Sequence, residues 1–458
     1  MNFSPLVLRW RLAPGVSFAP SGETDLTIDF AAGDTATLTP RRAGLRNALL
    51  AVTDGADEAR LLALASGDAA APLYYYLARL ISRGVLEASA DFDQVPVVRL
   101  VPRSTLFELP LPAVLPDRVM LDRFACLRRT DRGATLQHPD AVCDLLVEDA
   151  ACASLIARLM ANSLDTCSLT SPLDHALTAL LVALGFVVDA VVVEAPARQT
   201  WEFHDRLFQR ATRSYDDLIV RGGTYRFASK WPAPPAIRTA YAGTSISLPH
   251  PPAGPSPGSQ TLHEVMESRR SLRAMSEQPV DLEVIGQLLH RVARIKAVLP
   301  GTSKIAQEAV LRPYPSSGAV HELEFYLAVR SCAGLTPGFY HYRGQEQALT
   351  QIAGAEAPAA AMLADCARAW GQPNRPPQVL VVIASRLPRL AWKYAGIAYK
   401  LSLMNAGVAI QSLYLVATDL GLAGSAAGSG NPDHFAQATG VSSWEETSIA
   451  EFGFGRPE

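Results

Sequence analysis

Apolar and polar positions change rhythm several times along this chain, and the rhythms divide it. In the first half, Leu6–Leu12 and Asp25–Phe30 alternate like short strands. Leu45–Ala65 and Leu73–Ser82 instead carry apolar residues at helical spacing, and Gly84-Val85-Leu86 closes the run. The theme then repeats: Phe124–Leu127 and Val142–Leu146 read as strands, Ala151–Ala161 and Pro172–Leu184 as helices, and Gly185-Phe186-Val187-Val188 closes the second run. A helix, a glycine and then β-branched residues is the layout of a winged helix-turn-helix. The pattern therefore predicts two winged-helix-like units, over 1–95 and 96–198. Two copies are too few for a solenoid.

A bridging stretch follows, carrying WEFHDRLFQRATR and GGTYRF, and then two proline runs, Pro232–Pro235 and Pro249–Pro257. Proline at this density predicts an extended linker, so 199–258 reads as bridge plus linker. From 259 to 458 helices alternate with strands. Leu262–Ser268, Asp281–Ala297, Ala355–Ala369 and a long apolar Leu390–Leu420 are predicted helices. Glu322–Val329, Gly338–Tyr342, Ala348–Ile352, Gln378–Ser385 and Thr447–Phe454 are predicted strands. The fold class is α+β.

Composition narrows the function classes. With 458 residues and 49% hydrophobic positions the chain can bury more than one core. A formal charge of −3 lacks the clustered positive surface that nucleic acid or an anionic membrane requires. The expected recognition helices agree: Leu73–Ser82 carries only Arg79, and Pro172–Leu184 carries neither Lys nor Arg. Six scattered cysteines form no Cys-x-x-Cys pair, so reduced thiols, a cytoplasmic location and no metal site are expected. Leu401–Thr418 is uncharged and approaches a membrane-spanning length. It is interrupted by Ser402, Asn405, Gln411 and Ser412 and bracketed by Lys400 and Asp419, which favours a buried core helix. Lysine occurs only at 230, 296, 304, 393 and 400. Where arginine serves as the ordinary surface cation, Lys393 in an apolar segment stands out, because lysine shifts its pKa readily on burial.

Four segments of the second half carry candidate chemistry. Arg269-Arg270-Ser271-Leu272-Arg273 follows a helix and offers guanidiniums and a hydroxyl to a phosphate. Tyr314-Pro315-Ser316-Ser317-Gly318-Ala319 is a turn able to lay amides and hydroxyls against a flat polar ring edge. The small-residue run Leu420–Gly430, including Gly428 and Ser429, reads as a loop admitting close backbone approach. It follows a helix, so it is no dinucleotide fingerprint. The C-terminal EFGFGR can return a second cation, Arg456, to the phosphate site.

In this order the four segments resemble the nitroreductase-like flavoprotein superfamily. Trp392-Lys393-Tyr394, together with RPYPSSGAVHELEFYLAV, GFYHY, WEFHDRLF and GGTYRF, resembles its SagB-type, azoline-oxidising branch. The resemblance covers about 200–458 and, before that, only a shared two-unit layout. It implies a C-terminal FMN domain with an antiparallel-rich sheet and a long buried dimer helix, in a homodimer holding FMN at the subunit interface. Cofactor contacts carry over to Arg269, Arg270, Ser271, Arg273, Pro315, Ser316, Ser317, Gly318, Gly428, Ser429 and Arg456. Lys393 and Tyr394 carry over as the catalytic pair, at the start of the long helix. This chain departs from the branch where a His is often found near Gly407; it reads Asn405-Ala406-Gly407-Val408.

What the resemblance implies chemically is oxidation of a peptide thiazoline or oxazoline to the azole, with oxygen as the electron acceptor. Tyr394 could be the base if Lys393 favours its phenolate, or Lys393 could itself be the base. An azoline-containing precursor peptide and a cyclodehydratase complex are the implied partners, with the winged-helix units as docking modules. NAD(P)H-driven reduction of nitroaromatics or quinones, and a non-catalytic peptide-binding scaffold, are the rival readings.

Overall fold

The computed structural model describes residues 6–23, 25–30, 33–65, 69–111, 113–213, 218, 220–251, 254, 259–302 and 306–458. Most of the second proline run, Pro249–Pro257, lies outside the described residues. The chain forms two compact units, Met1–Val220 and Arg221–Glu458.

The first unit is built on a six-stranded antiparallel sheet. Its order is Val7–Leu12, Leu86–Phe92, Val95–Pro102, Cys143–Val147, Gly133–Gln137 and Cys126–Thr130. Trp10, Ala88, Val98, Leu100 and Leu145 point into one apolar core shared with helix residues Leu49, Leu73, Leu77, Leu155 and Leu177. The opposite positions carry ion pairs: Arg11 reaches Asp91 at 3.1 Å, and Arg132 reaches Glu87 at 2.6 Å. Both helix-Gly-strand closures are present, with left-handed Gly84 after Ala70–Ile81 and Gly185 after Pro172–Ala183. Leu45–Ala65 is two helices rather than the expected one, Ala43–Ala51 and Glu58–Ala65, separated where Ala56 bridges to Trp10. Residue 95, the expected boundary of the first winged-helix unit, opens the second strand of a hairpin within the sheet.

The second unit has three layers. Its sheet contains β1 (Ser245–Ser247), β2 (Leu323–Val329), β3 (Gly338–Arg343), β4 (Ala348–Ile352), β5 (Val379–Ser385), β6 (Ala423–Ala427) and β7 (Thr447–Gly455). They run in the order β1-β4-β3-β2-β5-β7-β6, every pair antiparallel. The helices are α1 (Leu262–Ser268), α2 (Leu282–Ala293), α3 (Glu356–Ala369), α4 (Leu387–Lys393), α5 (Ala398–Asp419) and α6 (Pro432–Thr439). Because side chains alternate across a strand, β2 sends Phe325 and Leu327 to the α2/α5 side and Tyr326 and Ala328 to the α3/α6 side. Both faces are covered, which is why β2 and β5 are buried at every position.

Three sequence expectations are corrected here. The helix expected over Asp281–Ala297 ends at Ala293, because Ala297–Leu299 pairs with Ala309–Leu311 instead. The small-residue run after α5 is a strand, β6, whose Gly424 packs under the Phe452 ring. The long Leu390–Leu420 helix is broken: α4 stops at Lys393, Tyr394–Ala395 pairs with Gly222–Gly223, and α5 starts at Ala398. Gly396 takes φ +71 at the break, a conformation that costs other residues about 1–2 kcal/mol.

The run Pro232–Pro235 is held rather than free. The carbonyls of Pro234 and Pro235 accept from Arg389 (2.6 Å) and Arg386 (2.9 Å), and Ala236 beyond them is buried. Helix α5 is long and apolar enough to cross a membrane by length and composition. Its Ser402, Asn405, Ala406, Ala409, Leu413 and Ala417 nevertheless line one face packed on the sheet, the position of a core helix.

Candidate active site

The arginine-rich segment is fixed by the end of α1. A capping box starts this helix, with Thr261 Oγ1 accepting from Glu264 N–H and Glu264 accepting from Thr261 N–H. After Arg269 the chain turns extended and runs along β6, where Leu272 N–H donates to Gly424 O at 3.1 Å. This brings Ser271 Oγ to 3.3 Å from the Tyr414 hydroxyl on α5 and the Arg269 guanidinium to 5.3 Å from the Tyr414 ring. The Tyr414 hydroxyl also accepts from Ala426 N–H at 2.9 Å. Burial pushes this phenol's pKa up. Its hydrogen bonds to Ser271, Ser425 and Ala426, with the charge of Arg273, outweigh burial and leave it lowered. Arg269 and Ser271 thus meet Tyr414, and Ser271 and Arg273 also line a cleft of about 420 Å³ with Trp370, Gln372, Pro457 and Glu458.

Other expected cofactor residues contribute less. Arg456 joins the same corner through its backbone, donating to Gln378 Oε1 at 3.0 Å and accepting from Ser276 N–H, while its guanidinium pairs with Asp281. Arg270 donates to carbonyls at its own helix end, those of Glu267 and Arg269. Gly428 and Ser429 lie exposed beyond β6, and Pro315 is exposed.

The second half of the site is the turn before β2. Gly318, Ala319 and His321 all adopt positive φ, at 59°, 55° and 49°. Two of them are not glycine, and each such residue costs on the order of 1–3 kcal/mol unless its surroundings impose it. Asn405, buried on α5, bonds to the residues on both sides of this stretch. Its Oδ1 accepts from Ser317 N–H (3.2 Å) and Ser317 Oγ (3.3 Å); its Nδ2 donates to Ser316 Oγ (3.1 Å) and to Glu322 (3.0 and 3.1 Å). Arg389, fully buried on α4, adds a bond to Val320 O at 2.9 Å.

Glu322 and Glu324 lie two residues apart and have opposite fates. Burial raises the Glu322 pKa, opposed by hydrogen bonds from Asn405, its own backbone and Ser316. Burial would raise Glu324 too, but His341, Arg312 and Arg386 hold it at about 2.

Lys393 and Tyr394 meet this turn. A Cβ added to Gly318 would lie 2.4 Å from Lys393 Nζ and 2.4 Å from the Tyr394 hydroxyl, so only glycine lets both side chains end there. Lys393 Nζ donates to Gly318 O at 3.3 Å. Two adjacent helical positions would point about 100° apart. The helix break removes that obstacle, because Tyr394 is extended. The GGTYRF segment forms the other wall: Tyr225 N–H donates to Lys393 O at 3.1 Å, and Lys393 Nζ lies 6.0 Å from the Tyr225 ring. Burial lowers the Lys393 pKa. Burial, then Tyr225, raises that of Tyr394, the opposite of what a phenolate base needs.

Sequence reasoning missed Tyr225, Glu322, Arg389 and Tyr414 as parts of the site. Asn405 was visible as a polar interruption of an apolar helix, and as part of the stretch where the chain departs from the branch's His, but not as the holder of this turn.

Known proteins match along the chain in two places. Residues 266–456 match the nitroreductase family model, and residues 119–216 match the model of the cyanobactin oxidase ThcOx. A curated nitroreductase-type protein of Methanocaldococcus jannaschii is 26% identical over 161 residues, covering 35% of this chain and 75% of its own length. Among solved structures, a nitroreductase-type protein of Ralstonia eutropha is 19% identical with a TM-score of 0.37, covering 50% of this chain and 98% of that one. The E. coli microcin synthetase McbBCD complex, solved with a truncated pro-MccB17, is 18% identical with a TM-score of 0.35, covering 55% and 90%. A Desulfovibrio desulfuricans nitroreductase-type protein solved with FMN is 16% identical with a TM-score of 0.28, covering 43% and 87%. The second unit of this chain thus carries a nitroreductase-family oxidoreductase domain, preceded by a region of cyanobactin-oxidase type.

Proposed function

We propose that the chain is an FMN-dependent dehydrogenase that oxidises azoline rings of a ribosomal peptide to azoles, with oxygen as the final electron acceptor. The observation that carries this reading is the meeting of Lys393, Tyr394 and Gly318 beside α5, in a chain whose preceding region matches a cyanobactin oxidase. The donor set fits FMN. Arg269, Ser271 and Arg273 suit its phosphate, and the Ser316–Gly318 turn suits the polar edge of its ring. Asn405, which holds the turn, and Tyr414, at the cationic corner, are nine residues apart on α5, about 13 Å at the helical rise. Bound FMN supplies a two-electron, hydride-accepting group.

Lys393 is the base we assign. Burial eases loss of its proton, and in its neutral form its Nζ takes the proton from the azoline carbon bonded to nitrogen and the carbonyl. The adjacent ring carbon gives up the hydride, and the ring gains a double bond. Tyr394, kept neutral by its raised pKa, serves as a hydrogen-bond partner that orients the ring. The experiment is incubation of the purified protein with short thiazoline and oxazoline peptides in air. Loss of two hydrogens per ring supports the reading; unchanged peptide beside a fully FMN-loaded protein sinks it.

The reading includes a homodimer in the cytoplasm. Leu403, Met404 and Val408 on α5, with Leu262 and Met266 on α1, expose an apolar face that a second copy would bury. The first unit would dock the precursor peptide or a cyclodehydratase, not nucleic acid. The nitroreductase match itself favours a second reading, NAD(P)H-driven nitro or quinone reduction. It requires rapid anaerobic bleaching of the flavin by NAD(P)H.

A further inference from the structure

We infer that Asn405 is the positioning residue of this site: its single amide locks the Ser316–Glu322 turn shut and so keeps Gly318 beneath Lys393 and Tyr394. The inference rests on the reading above for the importance of Lys393, but the lock itself is geometric.

The turn needs a lock. It carries three left-handed residues in four positions, and two of them have side chains. Hydrogen bonds join its ends: His321 N–H donates to Ser316 Oγ at 3.1 Å. Asn405 sits between those ends, 5% exposed, and reaches both at once. Ser317 N–H can only donate, so the amide oxygen must face it; the amide nitrogen then faces Ser316 Oγ and both Glu322 oxygens. This satisfies an otherwise buried carboxyl and pins Ser317, the residue preceding Gly318.

The chemistry required is narrow. One side chain must accept at one end and donate at the other within a short reach. Alanine supplies neither function, aspartate lacks the donor while ionised, and glutamine is a methylene too long for the same geometry. The helix also fixes the reach from below, because Ser402, one turn earlier, is buried and donates to Ser385 Oγ at 2.7 Å. Among the described residues, Asn405 makes no hydrogen bond to Lys393 or Tyr394, so its effect on the reaction passes through the turn.

The test uses the full-length, FMN-loaded protein with Asn405→Ala and Asn405→Asp. Hydrogen exchange of the turn is followed together with FMN content and the kcat and KM of azoline oxidation across pH. Asn405→Ala should speed exchange at Ser317 and, compared at matched FMN loading, lower kcat by about 10²-fold, the scale of a misplacement near 1 Å, with KM within about twofold. Asn405→Asp should donate only when protonated, so its kcat relative to the unaltered protein should climb as pH falls. Unchanged exchange and kcat in Asn405→Ala would overturn the proposal. So would a joint fall of FMN content, melting temperature and kcat in Asn405→Ala, if Asn405→Asp then tracks the unaltered protein at every pH. Should the unaltered protein hold no FMN and leave azolines untouched, the functional reading fails, while exchange at Ser317 still decides the positioning role.

Discussion

Lys393 and Tyr394 are neighbours, yet burial drives their protonation in opposite senses. It disfavours the charged form of each, so the lysine loses its proton more readily and the phenol keeps its own. If Lys393 is the base, its neutral form is the active one, so kcat should rise with pH through its lowered pKa and then level off. Lys393→Met should cost about 10²–10⁴-fold in kcat and abolish that limb, whereas Tyr394→Phe should keep the limb. A pH–rate profile of each variant at matched FMN content decides between them. Glu451 on β7 permits a separate test on stability. Burial, with Asp365 nearby, pushes its carboxyl from 4.5 up to about 7. The fold prefers this group protonated, so the benefit is complete below its unfolded pKa and is lost as pH rises through 7. Glu451→Gln should therefore flatten the stability profile between these values. At pH 8 it should gain up to about 3 kcal/mol, read as a higher denaturation midpoint, and below pH 4.5 it should gain nothing.

At the scale of elements, the decisive feature is an interruption. Leu390–Leu420 is continuously apolar enough to read as one helix, and no residue in it is a strong breaker except Gly396 and Gly407. What breaks it is tertiary: Gly222–Gly223, some 170 positions earlier, pairs with Tyr394–Ala395. A pairing at that separation leaves no periodic trace, whereas the alternation of β2, the unbroken apolar run of β5 and the spacing of α3 depend on nearby residues and were legible. The same holds for the site. Residue types suited to a phosphate or a ring edge could be recognised at Arg269, Ser271, Arg273 and Ser316–Gly318. The Asp281 partner of Arg456 and the Asn405 lock required three-dimensional proximity. Both glycines can be tested. Gly396→Ala should lower stability by about 1–2 kcal/mol through its left-handed backbone. Gly318→Ala meets the same backbone cost and, in addition, displaces Lys393 Nζ, so its kcat should fall much further than that of Gly396→Ala at equal FMN content.

At the scale of the whole molecule, the two units differ in what they leave uncovered. The first closes one core between its six-stranded sheet, two three-stranded sheets and its helices, with ion pairs on the outer side of the larger sheet. The second covers both faces of its sheet yet leaves half of α5 bare: Met404 is 57% exposed on a helix whose opposite face is packed on the core. Exposed apolar residues at 403, 404 and 408 recur at helical spacing, and α1 extends the patch with Leu262 and Met266. A continuous face of this kind is costly in water unless a partner covers it, and the proposed partner is a second copy, by a self-complementary two-fold contact. Such a contact places each substitution twice in one interface. Met404→Glu should therefore bring two carboxylates together in an apolar setting and shift the protein from dimer to monomer in sedimentation velocity. Arg269, Ser271 and Tyr414 lie within one chain, so the monomeric variant should retain some FMN affinity if the clamp suffices alone. Complete loss of FMN with the dimer would mean that the partner completes the pocket, and a Met404→Glu protein that stays dimeric would remove α5 from the interface.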